Sequence, residues 1–330
     1  MKAILCTSFS DEPALQIGDM PAPTPGPREV LIDVHAAAVA FMDLLMAQGK
    51  YQMRPPLPFV PGTDAAGVVR ALGADVTRFR PGDRVTCGNW HGAWAEQMVS
   101  TEDSVSAVPD EVDFATAASL RYAYGTARYA LVTVAHLQAG ETLFVSGAAG
   151  GVGLAAVELG RHRGARVIAG VSTPEKAATV REYGAHEVVV YGEENLRERI
   201  KALTAGRGVD VCLDNVGGRI FEAMSRLMNW GGRLLPIGFT SGEIPSLPAN
   251  LPLLKNYSVM GAYWGAWTER FPHESRAADE ALMRMVGTRE LRPKVSRVLP
   301  WQEFPAALAA IRARQVQGRV VLAVRPLSIQ

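Results

Sequence analysis

At 330 residues, the chain is long enough for two domains that each bury a hydrophobic core of their own. A net charge of +1 gives no electrostatic basis for a nucleic-acid or anionic-membrane partner. The three cysteines are far apart and form no CxxC pair, which argues against a disulfide framework and a cysteine-rich zinc site. We expect them to be buried as small hydrophobic residues in a protein of the reducing cytoplasm.

The N-terminal segment Met1–Ser8 has too short an apolar run for a signal peptide. No other stretch approaches the roughly 18 apolar residues that a transmembrane helix needs. We therefore expect neither export nor membrane insertion.

The first third of the chain is predicted to form a compact β domain, because short strands alternate with turn signals. The predicted strands are Lys2–Leu5, Val30–Val39, Ala65–Ala71 and Ala93–Val99. Two proline-rich segments, Met20–Pro27 and Arg54–Gly62, are predicted to be non-helical connectors, since proline supplies no backbone donor. A turn is predicted over residues 75–85.

Strands and helices alternate in the central part of the chain, which predicts a parallel sheet with helices on both faces. A helical region, Ala115–His136, leads into strands near residues 142–146, 166–170, 187–190, 209–213 and 232–238. Ser241–Leu251 is predicted to be a loop and Tyr257–Ala262 the sixth strand. Two helices, Ser275–Val286 and Gln302–Arg312, and a last strand, Arg319–Val324, are predicted to follow. The predicted fold class is α/β, a doubly wound sheet beside a β-rich part.

A glycine-rich segment, Ser146–Gly153, lies between a predicted strand and a predicted helix. Glycines let the backbone approach phosphate oxygens, and the helix N-terminus attracts the same anion. Three spaced positions of the dinucleotide fingerprint are Ala148, Gly150 and Gly153, and a second strand begins roughly twenty residues after Ser146. This order favours a dinucleotide site over an ordinary tight turn, with contacts from Ala149, Gly150, Gly151 and Val152.

The end of the second nucleotide-binding strand indicates which cofactor binds. An NAD site has an acidic residue there, whereas this chain has Ser172, with Lys176 on the next helix. A hydroxyl and an ammonium group hold a 2′-phosphate by charge-assisted hydrogen bonds, and a carboxylate would repel it. The residues favour NADPH over NADH; the alternative is that Lys176 is a solvated helix residue.

The whole chain resembles the zinc-free quinone oxidoreductase (zeta-crystallin-like) branch of the medium-chain dehydrogenase/reductase superfamily. The resemblance rests on six blocks in the right order: Gly49–Tyr51, Pro58–Val69, Pro81–Val85, Tyr124–Ala127, Ala148–Gly153 and Gln317–Val321. It implies a Rossmann nucleotide domain, residues 119–265, inserted into a GroES-like catalytic domain made of residues 1–118 and 266–330. It further implies a cofactor in the cleft between the domains, and a homodimer paired through the strand Tyr257–Ala262.

The resemblance also bears on metal binding. Zinc-dependent relatives have a cysteine three residues before an aspartate, and Gly-His-Glu in a later segment. The matching positions here hold Ala40, Thr63 and Asp64. One carboxylate does not complete a tetrahedral zinc site, so no metal is expected.

Without a metal, hydride from the nicotinamide is expected to reach an acceptor that conjugation already polarises, either a quinone or the β-carbon of an enone. Tyr51 resembles the tyrosine that donates a proton or hydrogen bond to the substrate in enoyl reductases. The alternative is that this ring only fills space after a turn. Relatives usually have asparagine where this chain has Ala40, so Thr126, Tyr51 or a water molecule replaces its side chain, or the substrate differs.

The resemblance implies further cofactor contacts. These are Tyr191 with the adenosine, Asn215 and Gly217 with the nicotinamide half, and Gly238 with Phe239 over the ring. Arg314 resembles an arginine that reaches a cofactor phosphate; the alternative is a solvated charge at a helix end.

Five aromatic residues suggest an apolar pocket for a ring-shaped substrate, or else part of the core: Trp90, Trp94, Tyr263, Trp264 and Trp267.

Two other functions stay open. One is an NADPH-binding sensor or interaction protein with little catalysis. Ala40 favours this function, because it has no side-chain donor for a substrate. The other is an acyl-thioester enoyl reductase, which needs basic residues such as Arg54 or Arg121 at the pocket mouth.

Overall fold

The computed structural model describes residues 1–327. The chain divides into two compact units. The β-rich unit comprises Met1–Tyr122 together with the described chain from Gly265 onward, and the central unit comprises Ala123–Trp264. Among the described residues, no helix combines the length and apolar composition that a membrane crossing requires.

The N-terminal part of the β-rich unit consists of strands with two α-helices and a 3-10 helix at Glu102–Ser104. The elements are β1 (Lys2–Ser8), β2 (Ala14–Asp19), β3 (Glu29–Val39), α1 (Phe41–Ala47), β4 (Asp64–Leu72), β5 (Arg84–Gly88), β6 (Gln97–Thr101), β7 (Val105–Ala107) and α2 (Phe114–Ala118). Three of the four predicted strands are confirmed as β1, β3 and β4. The fourth prediction was partly wrong, because β6 begins only at Gln97. Before it, the N–H groups of Ala93 and Trp94 bond instead to the connector carbonyls of Gly62 and Pro61, each at 3.0 Å.

The central unit is a parallel sheet with helices between its strands. Its elements are α3 (Arg121–Arg128, which begins in the β-rich unit), a π-helix over Tyr129–Val134, β8 (Thr142–Val145), α4 (Gly151–His162), β9 (Arg166–Val171), α5 (Glu175–Glu182), β10 (Glu187–Val190), α6 (Leu196–Leu203), β11 (Val209–Asp214), α7 (Gly218–Ser225), β12 (Met228–Pro236), α8 (Asn250–Lys255) and β13 (Ser258–Val259). The strand order is β10-β9-β8-β11-β12-β13, and each pairing is parallel. The chain therefore has the predicted doubly wound α/β sheet.

Two predicted elements of this region differ from the structure. The helical region Ala115–His136 is interrupted between α2 and α3, where the N–H groups of Ser119 and Leu120 bond to the carbonyls three residues back, at Thr116 and Ala117, at 3.0 and 3.3 Å. The sixth strand was predicted over six residues, but β13 contains only Ser258 and Val259, both exposed at the sheet edge. The predicted loop Ser241–Leu251 is confirmed except at its end, where α8 begins at Asn250.

The C-terminal part returns to the β-rich unit. It contains α9 (Trp264–Arg270, whose first residue is in the central unit), α10 (Pro272–Gly287), β14 (Val295–Pro300), α11 (Phe304–Arg312) and β15 (Arg319–Ala323). Strand β15 pairs antiparallel with β3 and parallel with β14, which completes a seven-stranded sheet with the order β14-β15-β3-β4-β5-β7 and β6 beside β3. The two predicted helices and the last strand are confirmed, whereas β14 was not predicted.

The hydrophobic core of the β-rich unit includes Trp94, whose side chain is 1% exposed. Its indole N–H donates to the carbonyl of Ala38 at 3.1 Å. Of the two interpretations left open for Trp94, a substrate pocket or the core, the structure supports the core, because the ring is buried and its indole N–H has a partner there. The three cysteines are buried and unpaired, as predicted.

Candidate nucleotide and substrate sites

Two glycines shape the turn between β8 and α4. Gly147 has φ +57°, a left-handed conformation that favours glycine. A Cβ on Gly153 would lie 2.3 Å from the carbonyl oxygen of Gly147, so α4 packs directly on the turn. The sequence pattern assigned the first spaced position to Ala148, but that residue is fully buried and donates its N–H to Gly170 at 3.0 Å. The conformationally special residue is its neighbour Gly147.

The start of α4 fits a pyrophosphate. The first N–H groups of an α-helix have no partner within the helix, and here the cap residue Gly150 supplies no side chain to them. The first turn contains no acidic residue that would repel an anion. A Cβ on Gly150 would meet only the Gly147 oxygen at 3.5 Å, an ordinary contact. Packing within the protein therefore does not demand glycine at this position, and its absent side chain leaves the helix N-terminus open to a phosphate.

The structure brings Ser172 and Lys176 together at the end of β9. Lys176 Nζ donates to Ser172 Oγ at 3.0 Å across the first turn of α5. The neighbouring Glu175 is exposed, and a hydrogen bond from the Thr173 side chain holds the pKa of its carboxyl below the usual value. A hydroxyl and an ammonium group thus lie side by side where an NAD site has a carboxylate.

The predicted nicotinamide-side residues gather at the ends of β8, β11 and β12. Asn215 Nδ2 donates to the carbonyl of Ser146 at 2.8 Å, next to the glycine turn. Gly217 has φ +74°, and a Cβ there would lie 2.9 Å from Phe239 Cδ1. Gly238 donates its N–H to the carbonyl of Asp214 at 3.2 Å. These residues and the glycine turn thus share one edge of the sheet.

Tyr191, the predicted adenosine contact, follows β10 in the same unit and is half-buried. A Cβ on Gly170 would lie 3.2 Å from Tyr191 Cε1, so this ring packs over β9.

Asp214 was not predicted from the sequence. Its carboxylate accepts hydrogen bonds from the hydroxyl of Ser146 and from the N–H groups of Val216 and Gly217, the last two at 3.2 and 2.9 Å. Burial raises the pKa of Asp214, and these three donors oppose the rise. The sequence does contain a pattern that could have indicated Asp214. It is an acidic residue at the last position of an otherwise apolar strand, Val209–Asp214, where a side chain contacts the loops at the sheet edge.

In the β-rich unit, Tyr51 lies beside a small apolar cluster. The buried members of this cluster are Cys6, Ala40, Met42, Met46, Ala47 and Phe59. Tyr51 and Trp90 are half-buried, pack against the cluster, and have ring centroids 6.5 Å apart. The indole N–H of Trp90 donates to Glu269. The side chains around Tyr51 are therefore mainly apolar, and Tyr51 itself contributes a phenol.

The remaining predicted residues belong to other elements of the two units. Thr126 is buried on α3 in the central unit, and Arg314 is exposed after α11 in the β-rich unit with φ +56°. Arg54 is exposed, whereas Arg121 is buried with its Nε 2.9 Å from Asp279 Oδ2. The carboxylate of Asp279 thus occupies Arg121, so the structure does not support this arginine as a contact for a carrier phosphate.

The positions that hold zinc ligands in zinc-dependent relatives have other roles here. Asp64 accepts the N–H of Tyr122 at 3.0 Å and lies 3.5 Å from Arg319 Nη2. Asp43, three residues after Ala40, accepts the N–H of Ala40 at 2.6 Å. Burial raises the pKa of Asp43 to about 7. Among residues 1–327, no three His, Cys, Asp or Glu side chains converge as metal ligands.

The chain is similar to known proteins over almost its full length. Residues 26–110 match the family model of the alcohol dehydrogenase GroES-like domain, and residues 151–280 match that of the zinc-binding dehydrogenases. The quinone oxidoreductase-like protein 2 homolog of Nematostella vectensis is 37% identical over 97% of this chain and 88% of its own length. The quinone oxidoreductase of Sus scrofa is 33% identical over 98% of this chain and 97% of its own.

Solved structures are likewise similar to this chain over almost its full length. A mycobacterial protein in complex with NADPH is 32% identical with a TM-score of 0.91, covering 98% of this chain and 100% of that chain. The Escherichia coli quinone oxidoreductase in complex with NADPH is 26% identical with a TM-score of 0.90 and the same coverage. With both domain types, the motif blocks and these relatives in agreement, the chain belongs to the quinone oxidoreductase family, the zinc-free branch of the medium-chain dehydrogenases/reductases.

Proposed function

We propose that this protein is an NADPH-dependent, zinc-independent reductase that transfers hydride to a quinone or to the activated double bond of an α,β-unsaturated carbonyl. The observation that carries the proposal is the turn between β8 and α4, where Gly150 leaves the helix N-terminus open although packing would admit a side chain. Relatives with the same fold were solved with NADPH, which supports the choice of ligand.

The preference for NADPH rests on Ser172 and Lys176. Their 3.0 Å contact places a hydroxyl and an ammonium group together after β9. We propose that they hold the 2′-phosphate by charge-assisted hydrogen bonds, while Ala149, Gly151 and Val152 contact the pyrophosphate through their backbone. The further cofactor contacts that we propose are Tyr191, Asn215, Gly217, Gly238, Phe239 and Arg314.

The proposed acceptor follows from the side chains near Tyr51. The cofactor supplies hydride, and this part of the chain holds apolar side chains and a phenol, a group that can donate a hydrogen bond without carrying charge. Such a donor would stabilise the oxyanion that develops when hydride reaches a conjugated carbonyl. We propose Tyr51 for this role and Thr126 as a second hydroxyl in place of the polar side chain that Ala40 lacks.

A steady-state assay tests the function. The purified protein is mixed with NADPH or NADH and a panel of quinones and enones, and the loss of reduced-nucleotide absorbance is followed. We expect turnover with at least one acceptor class and a higher kcat/KM for NADPH than for NADH. Saturable NADPH binding without turnover on any acceptor would indicate a binding protein instead, and absence of binding would refute the proposal.

We also propose that two copies associate through the edge of the central sheet. Several large apolar side chains of this unit are exposed, namely Trp230 (71%), Ile244 (76%), Leu253 (79%), Leu254 (67%) and Val259 (40%). Strand β13 at that edge is short and leaves backbone groups available for pairing. Sedimentation equilibrium should give twice the chain mass, and a monomer at all concentrations would contradict this.

A further inference from the structure

Strands β8 and β11 are tied together by a carboxylate at each end. At their amino ends, Asp210 accepts the N–H of Thr142 and the side-chain amide of Asn229, both at 2.7 Å. At their carboxyl ends, Asp214 accepts the hydroxyl of Ser146. The two aspartates are thus similar cross-strand links, but only the second lies at the edge that carries the glycine turn.

Asp214 does more than join two strands, because its partners belong to two different turns. Ser146 is the first residue of the turn before α4, and Val216 and Gly217 form the turn before α7. The Ser146 hydroxyl also accepts the N–H of Asn215 at 2.9 Å. One buried carboxylate therefore sets the position of one turn relative to the other.

The chemistry of this arrangement demands a carboxylate. Asp214 is fully buried and accepts three hydrogen bonds, from one hydroxyl and two backbone N–H groups. An ionised carboxylate has two acceptor oxygens, whereas an amide of the same shape has one acceptor and one donor group. An asparagine would therefore turn an NH₂ group toward one of these donors and leave that donor unsatisfied.

We propose that Asp214 is a positioning residue for the nucleotide: it holds the glycine turn and the Asn215–Gly217 turn in the relative arrangement that NADPH binding requires. The inference rests on the proposed function and deepens it. Asp214 acts through its neighbours, since its oxygens are occupied by Ser146, Val216 and Gly217 and need no contact with the cofactor. One of these partners, Gly217, has φ +74°, and a Cβ there would lie 2.9 Å from Phe239 Cδ1, so its backbone has little room to shift on that side.

The test compares Asp214→Asn with the matched control Asp210→Asn. Both substitutions weaken a β8–β11 link, so both are expected to lower the melting temperature. Only Asp214→Asn is expected to raise the Kd for NADPH, by about tenfold, and to raise KM for NADPH with little change in kcat. Ser146→Ala removes one of the three donors, and it should raise the Kd in the same direction without adding fully to Asp214→Asn.

Two results would overturn the inference. One is an unchanged NADPH Kd in folded Asp214→Asn protein, and the other is an equal rise of Kd in Asp210→Asn. If Asp214→Asn does not fold, the Kd of Ser146→Ala for NADPH is measured instead, and an unchanged Kd in that variant would overturn the inference.

Hydrogen exchange of the nucleotide-free proteins separates this inference from the proposed function. Asp214→Asn should accelerate exchange in residues 146–153 and 215–218, and Asp210→Asn should not. If the wild-type protein binds no NADPH while this exchange pattern is found, the proposed function fails and the coupling between the turns holds. If the wild-type protein binds NADPH while exchange and Kd are unaffected in Asp214→Asn, only the positioning role fails.

Discussion

Arg319 and Asp64, which are 255 residues apart in the chain, form a buried ion pair with 3.5 Å between Arg319 Nη2 and Asp64 Oδ2. Their side chains are 5% and 1% exposed. Asp64 also accepts the N–H of Tyr122, and the guanidinium carbon of Arg319 lies 5.4 Å from the centre of the Tyr122 ring. The last strand of the β-rich unit is therefore joined to β4 by charge as well as by the sheet.

Removing this guanidinium should strongly destabilise the β-rich unit. Arg319→Met removes the cation that acts most strongly on the buried carboxylate of Asp64, a loss of about 3 kcal/mol in the free energy of unfolding. Arg319→Lys keeps a charge and should lose less. Urea unfolding measures the change, with the exposed Arg297→Met on β14 as control. Equal stabilities of the two methionine variants would contradict a contribution from the ion pair.

Asp43 should make stability depend on pH. Its folded-state pKa is about 7, above the ordinary value of 3.8, so the folded chain holds this proton more tightly than the unfolded chain. The contribution of Asp43 to the free energy of unfolding is fully present below about pH 4. It declines as the pH rises to about 7 and is constant above that.

Asp43→Asn should remove that decline, because the amide does not titrate and its oxygen can still accept the Ala40 N–H. The measurement is the melting temperature of both proteins from acid to neutral pH. Other titrating groups remain in both, so the difference between the curves isolates Asp43. Parallel curves would show that Asp43 ionises normally.

Gly150, the N-cap of α4, and Gly153, in the first turn of that helix, should respond differently to replacement by alanine. Gly150→Ala meets no close protein atom and has φ −75°, so the protein should keep its melting temperature and lose NADPH affinity by at least about tenfold. Gly153→Ala forces a Cβ to 2.3 Å from a backbone oxygen and should lower the melting temperature as well. Thermal denaturation and NADPH titration check both. Full NADPH affinity in Gly150→Ala would place the phosphates elsewhere.

Lys176 should discriminate between the two nicotinamide cofactors. Lys176→Ala is expected to weaken NADPH binding by about tenfold and to leave NADH binding unchanged, because only NADPH carries the 2′-phosphate. Lys201→Ala, on the exposed face of α6, is the matched control. A parallel loss of affinity for both cofactors would assign Lys176 a structural role.

Tyr51 should matter more for enones than for quinones. Enone reduction must deliver a proton to a specific carbon, so Tyr51→Phe should slow it by about 100-fold and slow quinone reduction much less. Tyr257→Phe is the control, since the buried Tyr257 hydroxyl has no hydrogen-bond partner among the described residues. The measurement is the ratio of variant to wild-type kcat/KM, taken once with an enone and once with a quinone. Equal slowing of both reactions by Tyr51→Phe would refute the assignment.

Local patterns were informative wherever a residue's role depends on its chain neighbours. The alternation that predicted β8, β9 and β11, and the spacing of Ser172 from Lys176, follow from strand and helix periodicity. The break in the predicted helix at Ser119 and the two-residue length of β13 did not follow from such patterns. At Ser119 and Leu120 the backbone hydrogen bonds shorten to a spacing of three residues, and β13 lies at the edge of the sheet.

The amino-acid sequence by itself determined the α/β class, the glycine turn and the family, because each depends on periodicity or on blocks of adjacent residues. Only the tertiary structure decided that Asp214 joins two turns, that Arg121 pairs with Asp279 and that Trp94 belongs to the core. The physical reason is that hydrogen bonds and ion pairs form between atoms that are close in space. Ser146 and Asp214 are 68 residues apart, and no local pattern encodes that contact.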